Sequence, residues 1–221
     1  FDKSARRPLP LGDAQVLSLR FQTNGTYYTA ASVSFMEPWL FGKKPTSFSL
    51  SGYYTRQTNS YYFYQNPDEY FEVYGVAASL GNRLKWPDNY FVLYHELSWQ
   101  AYNLHDWGYN FLFSTGQSNN FSYKVTLARN STDQQVFPRQ GSDFTFSVQL
   151  TPPYSLFRDP NTNYQSMTDQ ERYRWIEYHK WTFKGALYTK IVGDLVLMAR
   201  AQFGYLGSYN KKWGYSPFEG Y

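Results

Sequence analysis

The sequence predicts an all-β, up-and-down antiparallel barrel that crosses a membrane, and three observations predict it. Apolar and polar residues alternate with period two through much of the chain, as a strand with a different solvent on each face requires. Short and long connections between these stretches take turns, the pattern of a barrel with turns on one side of a membrane and loops on the other. Aromatic residues make up 22% of the chain, with 23 Tyr, 18 Phe and 7 Trp. A soluble core rarely accommodates so many Tyr, because each buried hydroxyl wants a partner. A barrel in lipid holds them in girdles at the two interfaces, with their polar tips wet.

In chain order, the first alternating stretch is 16–23, with Leu17, Leu19 and Phe21 against Ser18, Arg20 and Gln22. Weaker alternation runs through 29–37, 46–56, 72–82, 90–101 and 121–129. Residues 143–150 are the clearest, with Phe144, Phe146, Val148 and Leu150 against Asp143, Thr145, Ser147 and Gln149. In 181–191, Trp181, Phe183, Leu187 and Ile191 oppose Thr182, Lys184 and Lys190. In 196–205, Leu197, Ala199, Ala201, Phe203 and Tyr205 oppose Arg200 and Gln202. The count is about nine strands, most near the ~9–11 residues that cross a bilayer at a tilt.

Short connections are expected at Phe41–Pro45, Leu84–Asn89 and Val192–Asp194, with a longer one of the same parity near Asn130–Ser142. Long ones are expected at Gln57–Phe71, Tyr102–Asn120 and Thr151–His179, and the brief Asn24–Tyr28 link shares their side by parity. The barrel pattern puts the short turns in the periplasm and the long loops outside the cell. Only Thr168–Tyr178 (TDQERYRWIEY) has the capping and charge spacing of a helix, and one or two turns are expected there.

The mid-strand cations Arg20, Lys124, Lys184, Lys190 and Arg200 fall on polar faces. Of these, Arg20, Lys184, Lys190 and Arg200 are the candidates for a basic lumen surface. A soluble β-sandwich would alternate in the same way and accept these cations on its outer face. Connection lengths, aromatic content and strand lengths together favour the membrane barrel. No run of ~18 apolar residues is present, so no transmembrane helix is expected. The chain starts at Phe1 without a visible signal peptide and stops at Tyr221 in a polar, aromatic segment. It reads as an internal piece of a longer protein, with residues 1–221 all part of one barrel domain.

The formal net charge of +4 is small and dispersed, which excludes a nucleic-acid footprint. The absence of Cys excludes disulfides, thiolate metal sites and thiol nucleophiles. His95, His105 and His179 are the only histidines, and none has a metal-ligand neighbour at zinc spacing. His95 falls on an apolar face with Ser98 and Asn103 nearby in sequence, but one strand offers no convergent triad. No glycine-rich phosphate loop is present. No enzyme, metal or cofactor is expected.

Two segments invite a binding role. In Phe35–Pro45 (FMEPWLFGKKP), Pro38 removes a backbone donor and so should sit where strand pairing ends. Trp39 suits the membrane interface, and Gly42 can take a positive φ. Glu37, Pro38, Trp39 and Gly42 are thus expected to form a turn with an interfacial anchor; a docking point for clients or accessory subunits is the alternative. Loop Arg158–Lys180 carries Arg172, Arg174 and Trp175 in a dense charged and aromatic run. It reads either as a loop folded over the barrel mouth or as a site for a surface-exposed subunit.

The turn motifs then resemble those of a known family. Phe35–Pro45 looks like the turn after the fourth barrel strand of the BamA family in the Omp85 superfamily. Arg7–Asp13 (RPLPLGD) resembles the preceding periplasmic turn in an aromatic-rich branch of that family. Val136–Gly141 (VFPRQG) resembles its turn between strands eight and nine, and Ser216–Tyr221 (SPFEGY) the start of its sixth extracellular loop. They occur in family order with matching spacing.

The resemblance implies about strands three to eleven of a roughly sixteen-stranded barrel. The periplasmic repeats that receive clients and the seam strands would lie outside this chain, as would the Arg motif of the sixth loop. It implies the central subunit of the outer-membrane protein assembly (BAM) machinery, a bacterial outer-membrane insertase without covalent chemistry. Its partners would be unfolded β-barrel clients, BAM accessory lipoproteins, membrane lipids and lipopolysaccharide, and surface-exposed subunits. Another Omp85-type translocation barrel, a porin, or a soluble glycan-binding β protein are the competing readings.

Overall fold

A computed structural model describes residues 14–40, 46–59, 66–108, 113–157, 166–210 and 216. Nine strands lie in one sheet whose spatial order is the order of the sequence. They are β1 (Val16–Asn24), β2 (Tyr28–Glu37), β3 (Thr46–Thr58), β4 (Tyr70–Arg83) and β5 (Phe91–His105), then β6 (Gly116–Asn130), β7 (Gly141–Leu150), β8 (His179–Val192) and β9 (Leu195–Gly207). The fold is all-β and up-and-down antiparallel. Helix among the described residues is one turn, α1 (Asp169–Arg172), and a short 3-10 segment, Tyr154–Phe157. Among the described residues no helix is long and apolar enough to cross a membrane.

All nine alternating stretches are strands, and the structure lengthens several. β5 runs to His105 and β6 begins at Gly116, so both ends of the expected loop Tyr102–Asn120 are strand. The pattern fades there because Ser118 and Asn120, on the polar face, are buried under protein and not wet. β8 begins at His179, which moves Lys180 from the expected loop into the wall.

The chain divides into two compact units: Phe1–Leu80 with Leu97–Phe121 and Asn163–Ile176, and Gly81–Glu96 with Ser122–Thr162 and Glu177–Tyr221. In the first, β1 and β2 pair Leu19 with Val33 and Phe21 with Ala31 on one face, while Arg20 faces Ser32 on the other. Near the long-loop ends of its strands, the Tyr54 hydroxyl donates to Glu72 at 2.9 Å. Arg56 lies 3.5 Å from Glu72 and 4.5 Å from the Tyr70 ring centroid. Tyr74 meets Trp99 edge-on at 5.7 Å. Aromatic rings with polar tips collect there as an interfacial girdle does.

The second unit shows the two faces as rows across four strands. Leu127–Phe146–Phe183–Phe203 and Val125–Val148–Trp181–Tyr205 run across the apolar face. Lys124–Gln149–Lys180 and Thr126–Ser147–Thr182–Gly204 run across the polar face. A one-residue slip would exchange the faces, so the pattern fixes the register. β8 and β9 are joined by Gly193–Asp194 alone, with Gly193 at φ +55°, which a two-residue hairpin readily uses.

Candidate functional site

Lys184, one of the expected lumen cations, stands beside a cavity of about 670 Å³ on the polar face of the second unit. Lys124, Thr126, Thr145, Ser147, Gln149, Lys180, Thr182, Lys184, Gln202, Phe203 and Gly204 line it. The other candidates are placed elsewhere. Arg200 sits opposite Ala186, and Lys190 opposite Val196 beside an irregularity in the β8–β9 ladder. Arg20 belongs to the first unit. Lys124 and Lys180 complete the cluster; Lys124 shows as a mid-strand cation in sequence, whereas Lys180 is hidden by the misplaced strand start.

The expected surface-loop partners lie on a segment that folds back against the wall. The Asn119 N–H donates to Arg174 O at 2.8 Å, and the Ile176 N–H to Asn119 O at 2.8 Å. Trp175 thus forms a parallel bridge with Asn119. β7 ends at Leu150 opposite Tyr123, and the loop segment takes up backbone groups of β6 beyond that point. An unpaired strand edge is unfavourable in a barrel, so this addition removes a liability. The Ser118 hydroxyl donates to Tyr173 O, and Tyr173, Ile176, Glu177 and Tyr178 are buried.

Local sequence explains how the segment is held. Thr168 and Glu171 form a capping box: the Thr168 hydroxyl accepts from the Glu171 N–H at 3.3 Å, and the Thr168 N–H donates to the Glu171 carboxylate at 3.2 Å. The expected helix is therefore real but only one turn long. Small Ser and Asn side chains on β6 admit a close backbone approach, and the Ser118 hydroxyl finds its partner on the segment. Arg174 and Trp175 keep exposed side chains, while Arg172 packs 5.4 Å from the Tyr173 ring.

Glu177 is a functional-looking group that the loop composition obscured. Its buried carboxylate accepts the Ser155 N–H at 2.6 Å and the Ser155 hydroxyl at 2.7 Å. Burial, and secondarily the Glu177 charge, push the Tyr154 and Tyr209 hydroxyls above their ordinary pKa. Gln149 donates to the Tyr178 hydroxyl at 2.8 Å, and Thr151 OH to Tyr178 O at 3.0 Å. These bonds fasten the long loop to its own strand ends.

At the Glu37 turn, Pro38 directly follows the last residue of β2, and the Trp39 N–H donates to the Glu37 carboxylate at 3.0 Å. Gln15 donates to the same carboxylate, and the Trp39 ring is half exposed. Gly42 lies outside the described residues. Each histidine meets a neighbour: His95 the Tyr123 hydroxyl at 2.6 Å, His105 the Asp68 carbonyl at 2.8 Å, and His179 accepts the Trp181 indole N–H at 3.1 Å. Ser98 has the opposite strand parity from His95, so no catalytic pair forms between them.

One ion pair joins two segments far apart in sequence. Arg129 interrupts the apolar face of β6 at its short-turn end and bonds Asp88 at 2.8 Å and 2.9 Å. It also donates to Ser131 at 2.8 Å and to Ser142, and lies 5.6 Å from the Tyr90 ring. Partial desolvation favours protonation of Asp88, but the Tyr90 N–H and the Arg129 guanidinium outweigh it and hold the carboxyl below its ordinary pKa. The depressed value means stability present above the unfolded pKa and lost as pH falls through the folded one. Arg129→Ala in the full-length protein is therefore expected to lower Tm at neutral pH, with the deficit shrinking below about pH 4 as the unfolded-state Asp titrates. A deficit independent of pH would show that Arg129 acts only through packing.

No curated protein matches the chain. Among solved structures, BamA from Haemophilus ducreyi lacking POTRA domains 1–3 is similar in fold, with a TM-score of 0.62 at 18% identity. The likeness covers 93% of this chain and 37% of that one, so the chain spans little more than a third of its length. Residues 10–221 match the model of the Omp85 superfamily domain. Strand order, two-faced register and this match agree: the chain belongs to the Omp85 superfamily.

Proposed function

We propose that this chain is the barrel wall of a BamA-type insertase, the central subunit of an outer-membrane protein assembly machinery. The observation that carries the reading is the ordered set of turn motifs, Arg7–Asp13, Glu37–Pro45, Val136–Gly141 and Ser216–Tyr221, within an Omp85 domain. The likeness in fold to BamA supports it. In this reading the protein sits in a bacterial outer membrane, with short turns in the periplasm and long loops outside. Its apolar face meets lipid and lipopolysaccharide, and its partners are unfolded barrel clients and accessory lipoproteins. The exposed Arg174 and Trp175 would face a surface-exposed subunit. Glu37, Pro38, Trp39 and Gly42 would anchor a periplasmic turn.

The work is physical and not covalent. A client's unpaired strand edges are not tolerated in lipid, so pairing and apolar burial drive insertion once a template is offered. This part of the wall supplies rigidity and a wet inner surface. Quantitative outer-membrane proteomics during depletion of the full-length protein tests the reading. The expected result is a joint fall of many unrelated barrels, with barrel-free lipoproteins changing less. Loss of one uptake activity with other barrels at normal abundance would make it a channel, and loss of one secreted class would make it a dedicated translocation barrel.

A further inference from the structure

We propose that the polar face of β6–β9 carries a binding cradle for an extended acidic peptide segment. This rests on the polar face itself and holds for a barrel of any function. Lys124, Lys180 and Lys184 all line the 670 Å³ cavity, and among the described residues no Asp or Glu does. The hydroxyls and amides among them, Thr126, Thr145, Ser147, Gln149, Thr182 and Gln202, supply hydrogen bonds without charge. Its size falls in the ordinary range of ligand pockets, roughly 300–1,000 Å³.

The spacing selects the occupant. Lys180 and Lys184 share a face of β8, so their Cα atoms are about 13–14 Å apart. Lys124 shares a row with Lys180 through Gln149, about 9–10 Å away. Strand side chains stand roughly perpendicular to the sheet, so the ammonium groups present three separated points instead of one pocket for a small anion. An extended chain with carboxylates at i and i+4 repeats the Lys180–Lys184 spacing along the same direction. Lipid headgroups suit this face poorly, because the apolar rows that lipid would wet lie on its opposite side.

The test uses full-length protein in lipid nanodiscs and a fluorescent nine-residue Ser/Thr peptide bearing Glu at positions three and seven, followed by anisotropy. The acidic peptide should bind, and its affinity should fall as salt rises. Lys184→Gln and Lys124→Gln, on different strands, should each weaken binding about tenfold, the loss of one charge-assisted bond. Lys184→Arg should restore most of it, and Lys190→Gln, outside the cavity, should change nothing. Heat-modifiable gel mobility checks that every variant is folded. Equal binding of the Glu→Gln peptide, displacement by inorganic phosphate at matched ionic strength, or unchanged affinity in both folded lysine variants would each overturn the proposal. Phosphate displacement would reduce the site to a small-anion site.

Discussion

Gly141→Ala is expected to destabilise the full-length protein by roughly 3 kcal/mol or more, combining about 1–3 kcal/mol of backbone strain with a steric clash. Gly141 has φ +107°, a conformation that side chains rarely adopt. An added Cβ would lie 2.3 Å from the Ser131 carbonyl oxygen and 2.8 Å from Thr132 Cα. Both are backbone atoms, so neither can rotate away. The turn cannot yield cheaply either. The Ser131 N–H donates to Ser142 O at 2.8 Å, the Arg139 N–H donates to Asp133 at 2.9 Å, and Arg129 grips Ser131 and Ser142.

Gly193→Ala separates the two contributions. Gly193 also has a positive φ, but nothing lies within 4 Å of its added Cβ. It should cost only the left-handed penalty, about 1–2 kcal/mol. Urea unfolding of both variants refolded into lipid vesicles makes the comparison. Similar costs for the two would mean that the β6–β7 turn is looser than the geometry indicates.

That glycine also shows how far sequence reading reaches. Val136–Gly141 stands out as a motif, but only the structure gives the reason for its last residue. Strand positions were legible because lipid and water impose opposite demands on alternate residues, as in Phe144–Leu150. Legibility failed where that contrast disappears. Ser118 and Asn120 are polar yet buried, since a loop covers them, so the start of β6 reads as loop in sequence. Lys180 reads as loop because the preceding Tyr173–Tyr178 is aromatic and charged without a lipid face. The parallel bridge of Trp175 to Asn119 joins residues far apart in sequence and leaves no periodic mark. Arg129–Asp88 likewise depends on two turns meeting, although a lone Arg among Val125 and Leu127 was a usable signal.

The lipid face itself admits a sharper test than the sequence allowed. Leu127→Arg should destabilise the vesicle-folded protein by roughly 2–4 kcal/mol, the cost of a cation at the lipid-facing midplane. Leu127 shares its row with Phe146, Phe183 and Phe203, and Phe146 lies near the middle of β7. Val148→Arg, on the same face, should cost less. Its row contains Trp181 and Tyr205 and lies closer to the long-loop end, where an Arg can reach the interface. Thr126→Arg is adjacent to Leu127 but opposite Ser147 on the polar face, where water solvates the new charge. It should cost less than either lipid-face change, because water reaches this half-buried site, although Lys124 and Lys184 line the same cavity and repel the new charge. The expected order of loss is Leu127→Arg, then Val148→Arg, then Thr126→Arg, read from urea midpoints at equal slope. Depth and face enter this order separately. Equal losses at Leu127 and Thr126 would mean that both faces meet the same medium, and equal losses at Leu127 and Val148 would move the membrane midplane toward the long loops.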